Sequence, residues 1–308
     1  MDELALNPAA EVTRDQRQPQ RPKRPRELQD PLNYYLYHPL AWQLARLLAK
    51  TPITPNMVSV FGAGCVIAAA AAYAQPWSAA SVLLGLLLHM SWHVVDGADG
   101  DLARLTGRSS PVGEMVDGLC DYLSHILLYI VLAWLLQTSL GGWAWALTAA
   151  AGIGHAVQSN HVEVQRRQYQ WWVYGTPWIR NSHGEESTTG KSGFSGLVSA
   201  YLAVASGMTP FALTIDEAVA AAKDDPAKLA RIADAVRAEA PPLLLLCKLL
   251  GPNPRAITLG IAMLAGGAGW YGAVYYFAYE AIVLNAVLVW SVMAHNAAAK
   301  RISAAIGD

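Results

Sequence analysis

The sequence predicts an all-α integral membrane protein, and three observations lead to that prediction. Of the 308 residues, 54% are hydrophobic and 15% are charged, and the mean hydropathy of +0.25 is high for a soluble domain. Apolar runs long enough to cross a bilayer recur along the chain between short polar segments. Lysine and arginine are concentrated in some of these segments and absent from others, which is typical of a fixed orientation in a membrane.

The N-terminal segment is polar and basic. Residues 1–30 interleave arginine and lysine with proline and contain no apolar stretch, so they predict a disordered tail and exclude a secretory signal peptide. Residues 31–50 are too short and too polar to span a membrane. Their tyrosine, tryptophan and basic residues at amphipathic spacing predict a helix that lies in the membrane interface.

Six transmembrane helices are predicted after this segment, four within residues 51–168 and two within residues 254–308. The third of them shows the strongest start signal, because Ser110 is a good N-cap and Pro111 fits the first helical position. The predicted bounds are about 54–74, 79–106, 111–136, 142–162, 254–276 and 281–299.

The long segment 169–253 is predicted to be a cytoplasmic or interfacial insertion, because it is polar, broken by glycine and proline, and charged in its second half. An additional span at 193–215 is the alternative. That span would place Lys300 and Arg301 on the opposite side from the other basic segments. The short loops 75–78, 137–141 and 277–280 contain no lysine or arginine, so six spans put every basic segment in the cytoplasm.

The stretch from Asp96 to Asp121 organises these predictions. Residues three or four apart share a helix face, so Asp96 and Asp99 form one acidic stripe, and Asp117 and Asp121 form a second. The turn signals between the stripes, Gly107 and the Ser109-Ser110-Pro111 run, allow the chain to reverse. The two stripes are therefore expected to face each other as a cage of four carboxylates.

Such a cage needs cations. Two carboxylates about 4 Å apart repel by roughly 4 kcal/mol at an effective dielectric near 20, and a membrane is a worse medium still. Oxygen ligands without Cys or His favour Mg²⁺, Mn²⁺ or Ca²⁺ over zinc, and carboxylate-held Mg²⁺ usually shares its coordination with substrate phosphates. The cage therefore predicts a phosphate or diphosphate site with one or two metals.

At these residues the chain resembles a known family. The pattern Asp-x2-Asp-Gly-x2-Ala-Arg-x8-Gly-x3-Asp-x3-Asp is the signature of the CDP-alcohol phosphotransferases, membrane enzymes of phospholipid synthesis. Every signature position is filled here, by Asp96, Asp99, Gly100, Ala103, Arg104, Gly113, Asp117 and Asp121. The apolar segments around the signature are similar to the six-helix layout of the family, which also has an interfacial helix before its first span.

The resemblance implies a reaction and a set of roles. In the family, Mg²⁺ or Mn²⁺ holds the diphosphate of a CDP-alcohol, an acceptor hydroxyl attacks the β-phosphorus, and CMP leaves. The resemblance implies two metal ions for this chain. Asp96, Asp99 and Asp117 would hold metal, and Asp121 would lie at or beside it and act as general base. The resemblance also implies a nucleotide-binding role for Gly100, Ala103, Arg104, Gly113 and Asn56. It implies, more weakly, an acceptor-binding role for Arg255.

The resemblance leaves the substrates open. The six-span size favours CDP-diacylglycerol as donor with inositol phosphate, glycerol phosphate or serine as acceptor, in a bacterial inner membrane with the site facing the cytoplasm. The alternative is a choline- or ethanolamine-type donor with a lipid alcohol acceptor, to which residues 31–35 and 109–114 are similar. Family members are commonly homodimers, and no nucleic-acid partner is predicted.

Two other classes fit the sequence less well. An intramembrane prenyltransferase would need a second aspartate-rich motif on a distant apolar helix, but the acidic residues at 216–239 lie in a polar segment. A divalent-cation transporter would place its carboxylates at mid-membrane within internal repeats, whereas these carboxylates lie at a helix end.

Overall fold

The computed structural model describes residues 24–176, 203–204, 207–267 and 271–307, and these residues are helical with no strand among them. The predictions for residues 1–23 and for most of the alternative span at 193–215 lie outside the described residues. The α-helices, in chain order, are α1 (His38–Leu48), α2 (Pro55–Tyr73), α3 (Ala79–Thr106), α4 (Pro111–Leu140), α5 (Trp143–Tyr174), α6 (Ala212–Ala221), α7 (Pro226–Leu249), α8 (Pro252–Gly266), α9 (Tyr271–Ala278) and α10 (Asn285–Gly307). A π-helical turn, Asn33–Tyr37, precedes α1, and another, Tyr279–Leu284, joins α9 to α10.

Local sequence explains where the helices of the bundle begin and end. The Thr54 side chain accepts a hydrogen bond from the backbone of Met57 at the start of α2. The Ser110 side chain does the same for Gly113 at the start of α4, as the sequence predicts. Helix α3 ends at Gly107, whose φ of +66° is the left-handed conformation that favours glycine, so the chain can turn into α4.

Helices α2, α3 and α4 form the centre of the bundle. Their shared core contains many small residues, including Ala69, Ala70 and Ala98, which are almost completely buried. The ring of Tyr73 lies directly against Gly85, where an added Cβ would come within 2.7 Å of the ring. Helices α2 and α3 can therefore pack this closely only because glycine occupies that position.

Within the described part of the chain, four helices are long and apolar enough to cross a membrane, which gives the chain the character of an integral membrane protein. They are Pro55–Tyr73, Ala79–Thr106, Val112–Leu140 and Tyr271–Gly307. The first three coincide with the first three predicted spans. Helix α5 covers the predicted fourth span and is about 48 Å long at 1.5 Å per residue, but it buries the polar side chains of Gln158, His161 and Gln165. The total of six spans stays a prediction.

The boundary between the last two predicted spans was wrong. The sequence places a loop at 277–280, whereas the structure is helical there and runs from Tyr271 to Gly307. The helix pair instead meets after Gly266, and an added Cβ on Gly272 would come within 2.3 Å of the carbonyl oxygen of Ala262. The polar Glu280 resembles a loop residue in the sequence, but it is completely buried in a pair with Arg255.

A second apolar core lies between the ends of α5 and α10 and the insertion helices α6 and α7. Its buried members include Ile215, Ile232, Val236 and Ile302. Helix α7 continues through Pro241 and Pro242, so its charged first part and its apolar last part form one helix. The part of the insertion from Ala212 to Leu249 is therefore packed and helical, and its position relative to the membrane stays a prediction.

Helix α1 occupies the predicted interfacial segment. Ala41 and Ala45 are fully buried, and an added Cβ on Gly97 of α3 would come within 3.1 Å of Ala41. Leu40 and Leu47 on other faces of α1 are exposed. The helix therefore has one face against α3, and its location in the membrane interface stays a prediction.

Candidate metal and phosphate site

The facing ends of α3 and α4 bring the signature aspartates together. Carboxylate oxygens of Asp96, Asp99 and Asp117 all lie within 4.8 Å of one another. Asp121, one turn beyond Asp117 on α4, is an electrostatic neighbour of Asp96. We call these four residues the aspartate cage.

Two further residues orient carboxylates of the cage. The Ser59 hydroxyl on α2 donates a hydrogen bond to Oδ2 of Asp99 at 2.6 Å, and Asp99 is only 5% exposed. On α3, the indole Nε1 of Trp92 donates to Oδ1 of Asp121 at 2.8 Å. Sequence reasoning missed Trp92, although it precedes Asp96 by four residues and therefore shares its helix face.

The cage carries a charge that the described part of the protein does not balance. Within that part, none of the four aspartates forms an ion pair with lysine or arginine, and Oδ1 of Asp117 is buried without a hydrogen-bond donor. Carboxylates about 5 Å apart repel by roughly 3 kcal/mol per pair at an effective dielectric near 20. Oxygen-only donors at these separations fit a hard divalent cation such as Mg²⁺ or Mn²⁺.

The signature arginine does not contact the cage. The Arg104 guanidinium forms an ion pair with Asp101, and Arg24 from the N-terminal segment reaches the same carboxylate at 3.0 Å. In the sequence, Asp101 lies off both acidic stripes and has no evident role, but its side chain is only 2% exposed. The i, i+3 spacing of Asp101 and Arg104 is a signal that could have revealed their pairing, whereas nothing in the sequence indicates Arg24.

The predicted nucleotide-binding residues lie on the same three helices as the cage and the Ser59 that contacts it. An added Cβ on Gly113 would come within 3.5 Å of Oδ1 of Asn56, so the starts of α2 and α4 meet there. An added Cβ on Gly100 would come within 3.5 Å of the Arg104 guanidinium. Ala103 is half-buried on α3. Gly100 follows Asp99 directly and Gly113 precedes Asp117 by about one turn, and the role of these residues in nucleotide binding stays a prediction.

Arg255, the predicted acceptor-binding residue, lies in a different environment. It is 3% exposed, and its guanidinium donates to Glu280 Oε2 at 3.0 Å, Gln158 Oε1 at 2.7 Å and the carbonyl oxygen of Leu250 at 3.0 Å. The sequence shows only a basic residue at the start of a helix. These internal contacts engage the guanidinium, and the acceptor-binding role of Arg255 stays a prediction.

Histidines lie behind the cage instead of inside it. The His125 ring donates from Nδ1 to the backbone carbonyl of Asp121 at 2.8 Å, and its Nε2 is 3.3 Å from Nε2 of His89. The His93 ring stacks on Tyr37 with centroids 5.1 Å apart. These contacts support the helix that carries Asp121, and none of them adds a ligand to the cage.

Fold and site together define a class of protein. It is a helical membrane protein in which a cluster of carboxylates, suited to bind a divalent metal, lies where two long apolar helices meet. Residues 52–178 match the family model described as CDP-alcohol phosphatidyltransferase. The chain therefore contains a domain of the CDP-alcohol phosphatidyltransferase family, and the resemblance seen in the signature is confirmed.

Among curated proteins, the chain is similar to the archaetidylinositol phosphate synthase of Aeropyrum pernix. The two are 37% identical over 95 residues, which cover 30% of this chain and 47% of the relative. The chain thus spans about half the length of the curated relative that it matches.

Proposed function

We propose that this protein is a CDP-alcohol phosphotransferase of phospholipid synthesis, which moves a substituted phosphate group from a CDP-alcohol to an acceptor alcohol and releases CMP. The observation that carries the proposal is the aspartate cage, in which carboxylates of two opposed helices converge without a protein cation among the described residues. The matched family and the named relative support the same class of reaction.

Asp96, Asp99 and Asp117 would hold divalent metal, with Asp121 at or beside it. Their fit rests on the oxygen-only donor set and on the unpartnered, buried Oδ1 of Asp117. Mg²⁺ or Mn²⁺ in two copies, when bound, neutralises the diphosphate and the charge that develops on the leaving CMP.

The protein residues position the reactants and take the acceptor proton. Asp121 is the proposed general base, and the indole of Trp92 fixes one of its oxygens so that the other can point to the acceptor hydroxyl. A carboxylate is a weak base for an alcohol, so alignment contributes most to the rate. The small residues Gly100, Ala103 and Gly113 are proposed to let the nucleotide approach closely, because a bulky side chain on this stripe would block it.

The substrates we favour are CDP-diacylglycerol as donor and a small polar acceptor such as inositol phosphate, glycerol phosphate or serine. The name of the relative, a synthase of archaetidylinositol phosphate, supports a lipid donor with a polar acceptor. The second candidate, a choline- or ethanolamine-type donor with a lipid alcohol, rests on sequence similarity in short segments only.

The site is proposed to face the cytoplasm, where soluble acceptors and CMP are exchanged. All six spans, the bacterial inner membrane and a homodimer are part of this proposal. The distribution of basic residues supports this orientation. Arg104 and Arg108 lie at the end of α3 that carries the cage, and Arg166 and Arg167 follow the apolar stretch of α5.

The test is CMP release by purified protein in lipid nanodiscs, offered a panel of CDP-activated donors and alcohols with Mg²⁺, with Mn²⁺ or with chelator. We expect CMP and one new phospholipid to form in equal amounts, only with metal and only with a matched pair. A prenyltransferase would instead release diphosphate from a prenyl donor, and a transporter would move cations without any product. Either result would overturn the proposal.

A further inference from the structure

The carboxylate of Asp101 links the N-terminal segment to the signature helix α3. Asp101 lies two residues beyond Asp99, and its side chain is 2% exposed. Its Oδ1 accepts a hydrogen bond from Nη2 of Arg24 at 3.0 Å and a second one from Nη2 of Arg104. Arg24 precedes the region that matches the family model, so this contact joins the signature to a part of the chain outside that region.

Arg24 is held in place by the residues that follow it. Gln29 donates from Nε2 to the carbonyl oxygen of Arg24 at 2.8 Å, and its Oε1 is 2.7 Å from Nδ1 of His38 on α1. Gln29 is 7% exposed. The next residue, Asp30, accepts a hydrogen bond from Asn253 of α8 at 2.9 Å. The segment that carries Arg24 is therefore packed against α1 and α8, and this packing fixes the backbone from which the guanidinium extends.

The guanidinium of Arg104 lies back over Gly100, which follows Asp99 of the cage directly in the chain. An added Cβ on Gly100 would come within 3.5 Å of Nη1 of Arg104. Gly100 is four residues from Asp96 and four from Arg104, so it shares a helix face with each of them. Four residues rise about 6 Å, so the glycine beneath the guanidinium lies that far along the helix from Asp96.

The contact with Asp101 holds Arg104 in one conformation before any ligand binds. An arginine side chain has several rotatable bonds and loses much rotamer freedom when a ligand fixes it. If the free protein has already fixed the side chain, the binding step no longer carries that cost. The Arg104 side chain is 50% exposed and contacts Asp101 through Nη2. Because a guanidinium has five N–H donors, it can bind a phosphate oxygen at the same time.

From this geometry we infer that Asp101 is a positioning residue, which is held by Arg24 and which sets Arg104 for the diphosphate of the nucleotide donor. The inference rests on the proposed function, in which Arg104 binds the nucleotide. The Asp101 carboxylate is buried against two guanidinium groups, so it acts through Arg104 and not by touching substrate. Neither Asp101 nor Arg24 belongs to the signature, so the N-terminal segment adds a support that the signature itself does not contain.

Binding and turnover should be measured separately on full-length protein in phosphatidylcholine nanodiscs with Mg²⁺. The binding probe is CDP, titrated by calorimetry, and turnover is followed with the donor and acceptor that give CMP. The variants are Asp101→Asn, Arg24→Gln, Arg104→Gln and the double variant Asp101→Asn/Arg104→Gln. Asp234→Asn is the matched control, because Asp234 and Arg237 form an i, i+3 pair on α7 at 3.1 Å but at an exposed position.

We expect Asp101→Asn to weaken CDP binding about tenfold, because Arg104 is no longer held over Gly100. Arg24→Gln should weaken CDP binding by a smaller factor, since Asp101 keeps its contact with Arg104. In the Arg104→Gln background, Asp101→Asn should have no further effect, because Asp101 acts only through Arg104. The KM for the donor should rise with the Kd for CDP, while kcat and the KM for the acceptor stay constant. Asp234→Asn should match the parent in every measurement.

Unchanged CDP affinity in Asp101→Asn or in Arg24→Gln would overturn the inference. A loss in the Arg104→Gln background as large as in the parent would also overturn it, because Asp101 would then act independently of Arg104. An equal loss in Asp234→Asn would do the same, since the effect would follow from the removal of any such ion pair. Thermal unfolding identifies a variant that has lost its fold, and Arg24→Gln, which changes no residue of α3, then decides alone.

The proposed function fails in a different way from this inference. In that case CDP still binds the parent protein and binds the variants more weakly, but no pair of donor and acceptor releases CMP. Positioning of Arg104 and transfer of the phosphate group are therefore tested by separate measurements.

Discussion

The aspartate cage and the Arg255–Glu280 pair both bury charge inside the bundle, and they differ in how that charge is balanced. In the cage, Asp96, Asp99 and Asp117 converge with no arginine or lysine of the described chain paired to them. In the Arg255–Glu280 pair, a guanidinium meets a carboxylate at 3.0 Å while Gln158 accepts a further hydrogen bond. Both sites lie between helices, yet only the pair has opposite charges that neutralise each other.

The comparison separates structural charges from functional ones. A buried charge with a partner in the same chain is satisfied as soon as the fold forms. A buried group of like charges without a partner destabilises the fold until a cation from outside arrives. The sequence predicts a binding role for Arg255, but in the structure its charge has a partner, Glu280, in the same chain. The cage is a group of like charges without such a partner among the described residues.

The largest expected effect is that of Asp96→Ala on activity. Loss of one carboxylate should abolish Mg²⁺-dependent binding of the CDP donor and lower turnover by at least about 100-fold. With chelator present, the variant should unfold at a higher temperature than the parent, because one of the carboxylates that repel each other in the cage is gone. Calorimetric nucleotide titration and thermal unfolding with chelator check both parts, and retained Mg²⁺-dependent binding would contradict the ligand role.

Asp121→Asn should separate chemistry from binding within the cage. The amide cannot take the acceptor proton, so turnover should fall by about 10²–10⁴-fold while metal and donor binding stay close to those of the parent. Single-turnover CMP release beside donor titration measures the two quantities. A rate similar to that of the parent would refute the assignment of Asp121 as base.

Glu280→Gln should affect stability instead of chemistry. It leaves the Arg255 guanidinium buried without a counter-charge, which typically costs about 3–5 kcal/mol. The double variant Arg255→Met/Glu280→Leu should recover most of this loss, because it removes both charges. Unfolding in detergent measures the effect. A loss of acceptor affinity with unchanged stability would contradict this expectation and support the acceptor-binding role of Arg255.

The smallest expected effect is that of Ser59→Ala, which removes the 2.6 Å hydrogen bond to Asp99 without changing any charge. Loss of a group that orients a metal ligand typically weakens metal affinity about 10- to 100-fold. The Mg²⁺ concentration for half-maximal CMP release should rise accordingly, while the rate at saturating Mg²⁺ changes little. An unchanged Mg²⁺ requirement would show that Asp99 needs no support from α2.

Some of the site was readable from the sequence because helix geometry is local. The spacings of Asp96, Asp99, Asp117 and Asp121 place them on two stripes, and the Ser110-Pro111 start fixes where α4 begins. The first three apolar helices were located for the same reason. None of these predictions needs any knowledge of how distant segments pack.

Other features could not be read in this way. The loop expected at 277–280 is helical because Glu280, polar in the sequence, is neutralised by Arg255 from another helix. Trp92 reaches Asp121 only because α3 and α4 lie side by side. In each case the decisive contact joins residues far apart in the chain.

The sequence by itself determined that the chain is a membrane protein with four carboxylates arranged on two helix faces, since hydropathy and periodicity depend only on neighbouring residues. Only the tertiary structure decided which charges are balanced. It buried Asp101 between Arg24 and Arg104, closed Arg255 onto Glu280, and left the cage without a counter-ion among the described residues. The physical reason is that the energy of a buried charge depends on partners that packing alone brings close.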